Sequence, residues 1–278
     1  MTFWKITLSY DGTAFHGWQV QPGLPTVQGL LAGALERLTG ERVLPQGSGR
    51  TDAGVHAIAQ VASFALEAPL PAENLLRALN RALPQSVRVM AVEEVEQGFH
   101  ARHSAVRKSY EYRIFERRMK ASDEEQVCSP FVAPFVWDCR WTLDLEAMQR
   151  AARVVCGTHD FTSFAAVDPE LGQRESRIQG EGAAGVNPVK TLFASEVVRE
   201  DGLLRYRVTG SGFLHHMVRN LVGTLVEVGR GSMGVEEMGR ILEARDRTVA
   251  GPTAPAQGLF LMAVEYGAVS GMEAGERA

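Results

Sequence analysis

Cysteine is nearly absent. The 278 residues hold three, Cys128, Cys139 and Cys156, and none forms a CxxC pair. That is too few and too irregular for a disulfide framework, and it implies a reducing, cytoplasmic setting. Long apolar runs are missing too: the stretch at 217–228 is broken by Arg219, Asn220 and Glu227, so no membrane span is expected. The opening MTFWKITLSY alternates like a strand and does not read as a signal peptide. Neither sign of charge is in large excess. A formal net charge of −4 argues against a protein that coats nucleic acid indiscriminately, yet leaves room for a local basic groove. Familiar signatures are lacking as well. There is no P-loop and no GxSxG elbow, and Gly47-Ser48-Gly49 is without the rest of a dinucleotide fingerprint. His100 and His103 are three apart and His215-His216 adjacent, but no Cys, Asp or Glu sits at a metal-ligand interval. Neither a metal nor a cofactor is expected.

What is present is enough chain, 45% of it hydrophobic, to bury a sizeable core in one large domain or two smaller ones. Trp4, Ile6, Leu8 and Tyr10 share one face of a first strand. Val27, Leu30, Leu31, Ala34, Leu35 and Leu38 follow at helical spacing, with Thr26 placed to cap the helix and Gly40 to end it. Then come a short strand at 42–44, a glycine-rich loop at 47–54 and a strand at 57–66. A helix opened by Pro71 and stopped by Pro84, and a strand at 87–95, complete the order β-α-β-β-α-β. The second half repeats it. A strand at 109–115 and a helix at 143–155 precede strands at 190–199 and 203–209, which Asp201-Gly202 joins as a hairpin. A helix at 213–228, an extra one at 235–244 and a strand at 259–266 close the unit. The expected fold class is α+β: two ferredoxin-like (RRM-like) βαββαβ units, residues 1–104 and 105–268, forming an extended, mostly antiparallel sheet with helices on one face. The central cleft between them is the expected substrate site. Residues 121–140 and 167–188 read as loops or insertions, and 269–278 as a flexible tail.

Three features call for chemistry. Between residues 102 and 120 lie Arg102, Arg107, Lys108, Arg113, Arg117, Arg118 and Lys120 against only Glu111 and Glu116, interleaved with Tyr110, Tyr112 and Phe115. Charge runs are usually solvated faces, but rings beside cations also suit stacked bases beside phosphates. The loop GSGRTDAGVHA at 47–57 sets one Arg and one Asp among three glycines, so its backbone can approach a bulky ligand closely; alone, it is equally a turn in which Asp52 caps its own backbone. Arg219 stands on a mostly apolar helix with no carboxylate three or four residues away, so it either snorkels to solvent or finds a distant partner.

Six stretches, in order, resemble the TruA family of tRNA pseudouridine synthases: YDGTAFHGWQ (10–19), GRTDAGVHA (49–57), FHARHSAVRKSYEYRI (99–114), GTHDFTSF (157–164), GFLHHMVRNLVGTL (212–225) and APAQGLFL (254–261). The resemblance implies that Asp52 is the catalytic aspartate and that Arg50 helps displace the target base. It also implies that Tyr110 packs against that base and that Arg219 pairs with the aspartate. Arg107 and Lys108 are the expected RNA-binding companions. It further implies conversion of uridine to pseudouridine at positions 38, 39 and 40 of the tRNA anticodon stem-loop, by a cytoplasmic homodimer using no cofactor. Two rival readings stand beside it. A catalytically silent RRM-like RNA-binding protein would not need Arg50, Asp52 and Tyr110 together. A glycosidase-like hydrolase would normally want two carboxylates, where this loop supplies one.

Overall fold

The computed structural model describes residues 1–118, 126–166 and 187–267. The alternating opening becomes strand β1 (Thr2–Tyr10), with Trp4, Ile6, Leu8 and Tyr10 all buried. Helix α1 (Val27–Thr39) starts where Thr26 Oγ1 accepts the Gly29 N–H and ends at Gly40. Strand β2 (Gln46–Gly47), strand β3 (His56–Leu66), helix α2 (Ala72–Ala82) and strand β4 (Val87–Val95) finish the first half in the expected order. One boundary differs. The strand expected at 42–44 forms instead at Gln46–Gly47, because ladder pairing with β3 begins only after Pro45, which has no N–H to donate.

The second half is more elaborate than a simple repeat. It runs β5 (Ala105–Glu116), β6 (Trp137–Cys139), α3 (Leu145–Val154), β7 (Gly157–Asp160), β8 (Val189–Glu200) and β9 (Leu203–Gly210). Helices α4 (Met217–Gly229) and α5 (Glu237–Ala244) and strand β10 (Leu259–Tyr266) follow. Strands β6 and β7 are additions to the expected order, and β6 lies inside the stretch read as a loop. Asp201-Gly202 forms the expected hairpin between β8 and β9. Helix α4 starts at Met217, not at Phe213. His216 precedes it in a left-handed conformation (φ 58°), and that conformation cannot continue a helix. Most of the 167–188 segment, and the 269–278 tail, lie outside the described residues.

The strands of the described residues join one sheet, ordered β4-β1-β3-β10-β5-β9-β8-β7, with β2 added on β3 and β6 on β5. The pairings are antiparallel except β3–β10 and β5–β6. The β3–β10 pair is the seam between the halves, registered by His56 with Phe260 and Ala57 with Leu261. Among the described residues, buried side chains from five helices, including Leu31, Leu79, Met148, Leu221 and Ile241, join Ile6, Leu8, Tyr112 and Tyr206 in a single core. Alternation along β5 and β9 sends Glu111, Arg113, Arg205 and Arg207 to the opposite face, where the three guanidinium groups hydrogen-bond the Glu111 carboxylate.

Helix α4 is drawn very close to the chain that follows α5. A Cβ on Gly223 would stand 1.6 Å from the Pro252 carbonyl oxygen, so only glycine fits. Thr224 Oγ1 accepts the Gly251 N–H, and buried Asn220 binds the Phe164 carbonyl and the Thr253 hydroxyl. Gly223→Ala is expected to destabilise by about 3 kcal/mol, the upper end for overpacking. Calorimetry should show Tm lowered by roughly 6–10 °C.

Candidate active site

The glycine-rich loop between β2 and β3 is clamped on both sides. Ser48 Oγ hydrogen-bonds Gln60 Oε1 at 2.7 Å, and the Gln60 amide returns to the Gly49 carbonyl at 2.9 Å. From the other side, the Trp18 N–H reaches the Thr51 carbonyl at 3.0 Å, and the Tyr10 and Thr51 hydroxyls meet at 2.8 Å. The close approach depends on Gly17: its φ of +86° is left-handed, and a Cβ there would sit 2.4 Å from the Thr51 carbonyl oxygen. Phe15 and Trp18 are buried under this contact, so the YDGTAFHGWQ loop acts as scaffold for GRTDAG. His56 pins the loop's far end. It accepts the Gly12 N–H at Nδ1, which puts its proton on Nε2, facing the Pro134 and Gln257 carbonyls at 3.2 Å. Its ring stacks on Phe260 across the seam, with centroids 4.7 Å apart.

So held, Asp52 meets the first turn of α4. Arg219 Nη1 donates to Asp52 Oδ2 at 2.8 Å, across 167 residues of sequence. The same guanidinium is fixed behind by Nε donating to the Ala254 carbonyl at 2.8 Å, while the Ala254 N–H returns to the Arg219 carbonyl. His215 Nε2 lies 3.5 Å from Oδ1 and His216 Nε2 lies 3.2 Å from Oδ2. Burial pulls the Asp52 pKa upward, but the His215 hydrogen bond, His216 and Arg219 together hold it below the usual carboxylate value. Burial also lowers the His216 pKa, so that ring is neutral at pH 7 and Arg219 is the lasting positive charge. Asp52 is ionised throughout the physiological range.

Both histidines went unread as site residues in the sequence. The usable signal was their spacing, three and four residues before Arg219, where an added helical turn would put all three on one side. Asp52, His215 and His216 do offer ligand atoms within 4.8 Å of one another. However, a cation bound there would stand against the Arg219 guanidinium already on Oδ2, so the cluster is built around a carboxylate and not a metal centre.

Asp52 sits in a cleft of about 450 Å³ that Arg50, Lys108, Tyr110, Phe213 and Arg219 also line. Tyr110, on β5, packs edge-on against Phe213 with centroids 4.9 Å apart. Burial, then Tyr10 and Asp52, push its hydroxyl pKa far up, so it keeps its proton. Lys108, two residues earlier on the same face, donates from Nζ to the Ser48 carbonyl. Burial first, then Arg102 and Lys190, bring its pKa down to about 8. Arg50 borders this cleft and also a neighbouring one of about 310 Å³. Arg102, His103 and Lys190 add further basic groups to the lining. Lys190 was not legible as a site residue, since β8 carries it in from distant sequence. Arg107 is not brought to the cleft: strand alternation turns it the other way, its guanidinium 4.6 Å over the Phe193 ring and 3.9 Å from Glu265.

Removing the guanidinium isolates the effect of the ion pair. In Arg219→Met, the Asp52 pKa is expected to rise by about 1–3 units, read by carboxylate carbon NMR. The sign follows from linkage. The depressed pKa contributes stability above the unfolded value, and that stability is lost as pH falls through the folded one, so the variant should lose less stability on acidification than the wild type.

Comparison with known proteins adds an independent line. A family described as "tRNA pseudouridine synthase" matches residues 6–104 and 151–267. The "tRNA pseudouridine synthase A" of Solibacter usitatus is 49% identical over 262 residues, covering 94% of this chain and 98% of the relative. That of Moorella thermoacetica is 44% identical with the same coverage, and that of Neisseria gonorrhoeae is 39% identical over 95% of this chain and 91% of the relative. Similarity along nearly the whole of both chains, on an α+β sheet of this order, means that the chain belongs to the tRNA pseudouridine synthase A (TruA) family.

Proposed function

We propose that this protein isomerises uridine to pseudouridine at positions 38, 39 and 40 of the tRNA anticodon stem-loop. The observation that carries the reading is an ionised Asp52, held by Arg219 and set in a cleft with Tyr110, Arg50 and Lys108. The reaction breaks the N1–C1′ bond, turns the uracil and joins C5 to C1′. Atoms and electrons balance within the nucleotide, so the chemistry calls for no redox partner. Positive charge develops on the sugar as the bond breaks, and a carboxylate beside C1′ meets it. Two routes use that carboxylate: attack on C1′, or removal of the C2′ proton. Arg219 serves both by keeping Asp52 ionised.

The target uridine has to leave its stack, at a cost of a few kcal/mol. In our reading Arg50, at the cleft's edge, fills the vacated space, and Tyr110 packs on the extruded uracil. Lys108, with Arg102 and Lys190, supplies the positive charge that phosphates require. Arg107, turned away from the cleft, is left with at most a peripheral phosphate contact. The family reading also carries a homodimer working in the cytoplasm; within each chain, residues 1–104 and 105–268 are read as two domains. Within the described residues, no helix is long and apolar enough to cross a membrane.

Unmodified tRNA transcripts with uridine in the anticodon arm test this directly, with EDTA present and pseudouridine mapped by carbodiimide labelling and primer extension. The wild type should convert those uridines, and Asp52→Asn should be slower by roughly 10⁴-fold or more. If the wild type binds tRNA and leaves every uridine unchanged, the silent RNA-binding alternative replaces this one. Lys108 provides a second check. Its charge is present below about pH 8 and lost above it. Affinity for tRNA should therefore weaken roughly 10-fold from pH 7 to 9, the worth of one charge-assisted contact, and Lys108→Met should flatten that dependence.

A further inference from the structure

Resting on the reaction proposed above, we infer that His216 is the general base that removes the C5 proton of the turned uracil. When N1–C1′ breaks, its electron pair stays on the uracil ring. Attack of C5 on C1′ then leaves C5 carrying both the new bond and its original hydrogen. Pseudouridine forms only when that hydrogen leaves as a proton, its electron pair returning to the C5–C6 bond, while N1 takes a proton from water. The base afterwards passes its proton to solvent, so loss at C5 and gain at N1 cancel.

Geometry limits which group can act. C5 is then one bond from C1′, and C1′ lies against Asp52, so the base must stand close to that carboxylate. His216 turns Nε2 to Asp52 Oδ2 at 3.2 Å, and its ring lines the cleft. In the neutral ring the proton therefore sits on Nε2, facing that acceptor-only carboxylate, and Nδ1 is the basic nitrogen. The neighbours are committed otherwise. Arg219 is occupied by Asp52 and the Ala254 carbonyl, and His215 turns Nε2 to Asp52 while its Nδ1 is buried away from the cleft's open space. Tyr110 holds its proton, and Lys108 is mostly charged at neutral pH. His216 is neutral because burial, with His215, Arg219 and Arg247, outweighs the opposing pull of Asp52.

The backbone gives separate support. His216 sits at φ 58° immediately before α4, and its side chain does not cap the helix. A non-glycine residue held in that region is strained, and such positions cluster at functional sites, where a side chain has to be aimed. Here the aim is into the cleft, toward Asp52.

Asparagine tolerates the left-handed conformation, so His216→Asn preserves the start of α4 while removing the base. His216→Gly, which relieves the strain entirely, guards against misfolding as the cause of any loss. Single-turnover rates would be measured on tRNA bearing hydrogen or deuterium at C5 of the target uridine. Both variants should slow by roughly 10²–10⁴-fold, show a larger deuterium effect than the wild type, and recover rate on addition of imidazole. A rate within about twofold of wild type, or a slower rate with an unchanged deuterium effect, overturns the inference and leaves His216 as at most a positioning residue. Failure of the underlying reaction would appear separately, as no pseudouridine from the wild type, and would overturn both.

Discussion

A single ion pair makes demands on every layer of this molecule. For Arg219 to reach Asp52 at 2.8 Å, a loop from the first half and a helix from the second must be set to within a fraction of an ångström. The loop is held by Gln60, Tyr10 and the backbone of residues 12–18, and the helix start by Asn220 and the Ala254 segment. Between them runs the parallel β3–β10 seam, with His56 stacked across it on Phe260. Neither half contains the pair. Glycines 17 and 223 stand where these supports are packed so closely that a side chain would enter a neighbouring carbonyl.

The same electrostatic device is used more than once, to different ends. Burial alone would neutralise a carboxylate, and here Asp52, Glu111 and Glu116 are kept ionised by donors. Glu111 is gripped by Arg113, Arg205 and Arg207 on the open face of the sheet, and Glu116 by the Leu143 N–H, Arg118 and Arg199. Those carboxylates have their acceptor sites filled from several sides, which suits structure. Asp52 instead keeps a side chain 20% exposed and opens onto a cleft. A satisfied carboxylate stabilises; one with an open side can also react.

Much of the secondary structure could be read along the chain. Strands β1, β3, β4 and β10 and helix α1 follow alternation, helical spacing and the Thr26 and Gly40 boundary residues, because each of those signals acts over a few residues. Errors arose where a distant partner decided the outcome. β2 begins only where β3 can pair with it, and β6 and β7 exist because a neighbouring strand edge accepts them. The late start of α4 has the same origin: residues 213–216 line the cleft, and His216 takes a backbone angle that local propensity disfavours.

The site divides along the same line. From the sequence, the family resemblance carried by motif order implied that Asp52, Arg50, Tyr110 and Arg219 share one site, since residue type and local spacing are written in the chain. Residue spacing alone left Arg219 either snorkelling to solvent or finding a distant partner. Only the tertiary structure decided that Arg107 turns away while Lys108 turns in, that Lys190 enters from β8, and that two histidines flank the carboxylate. The physical reason is range. Propensity and periodicity operate between neighbours, whereas charge, burial and hydrogen bonding operate between whatever residues the fold brings within a few ångström.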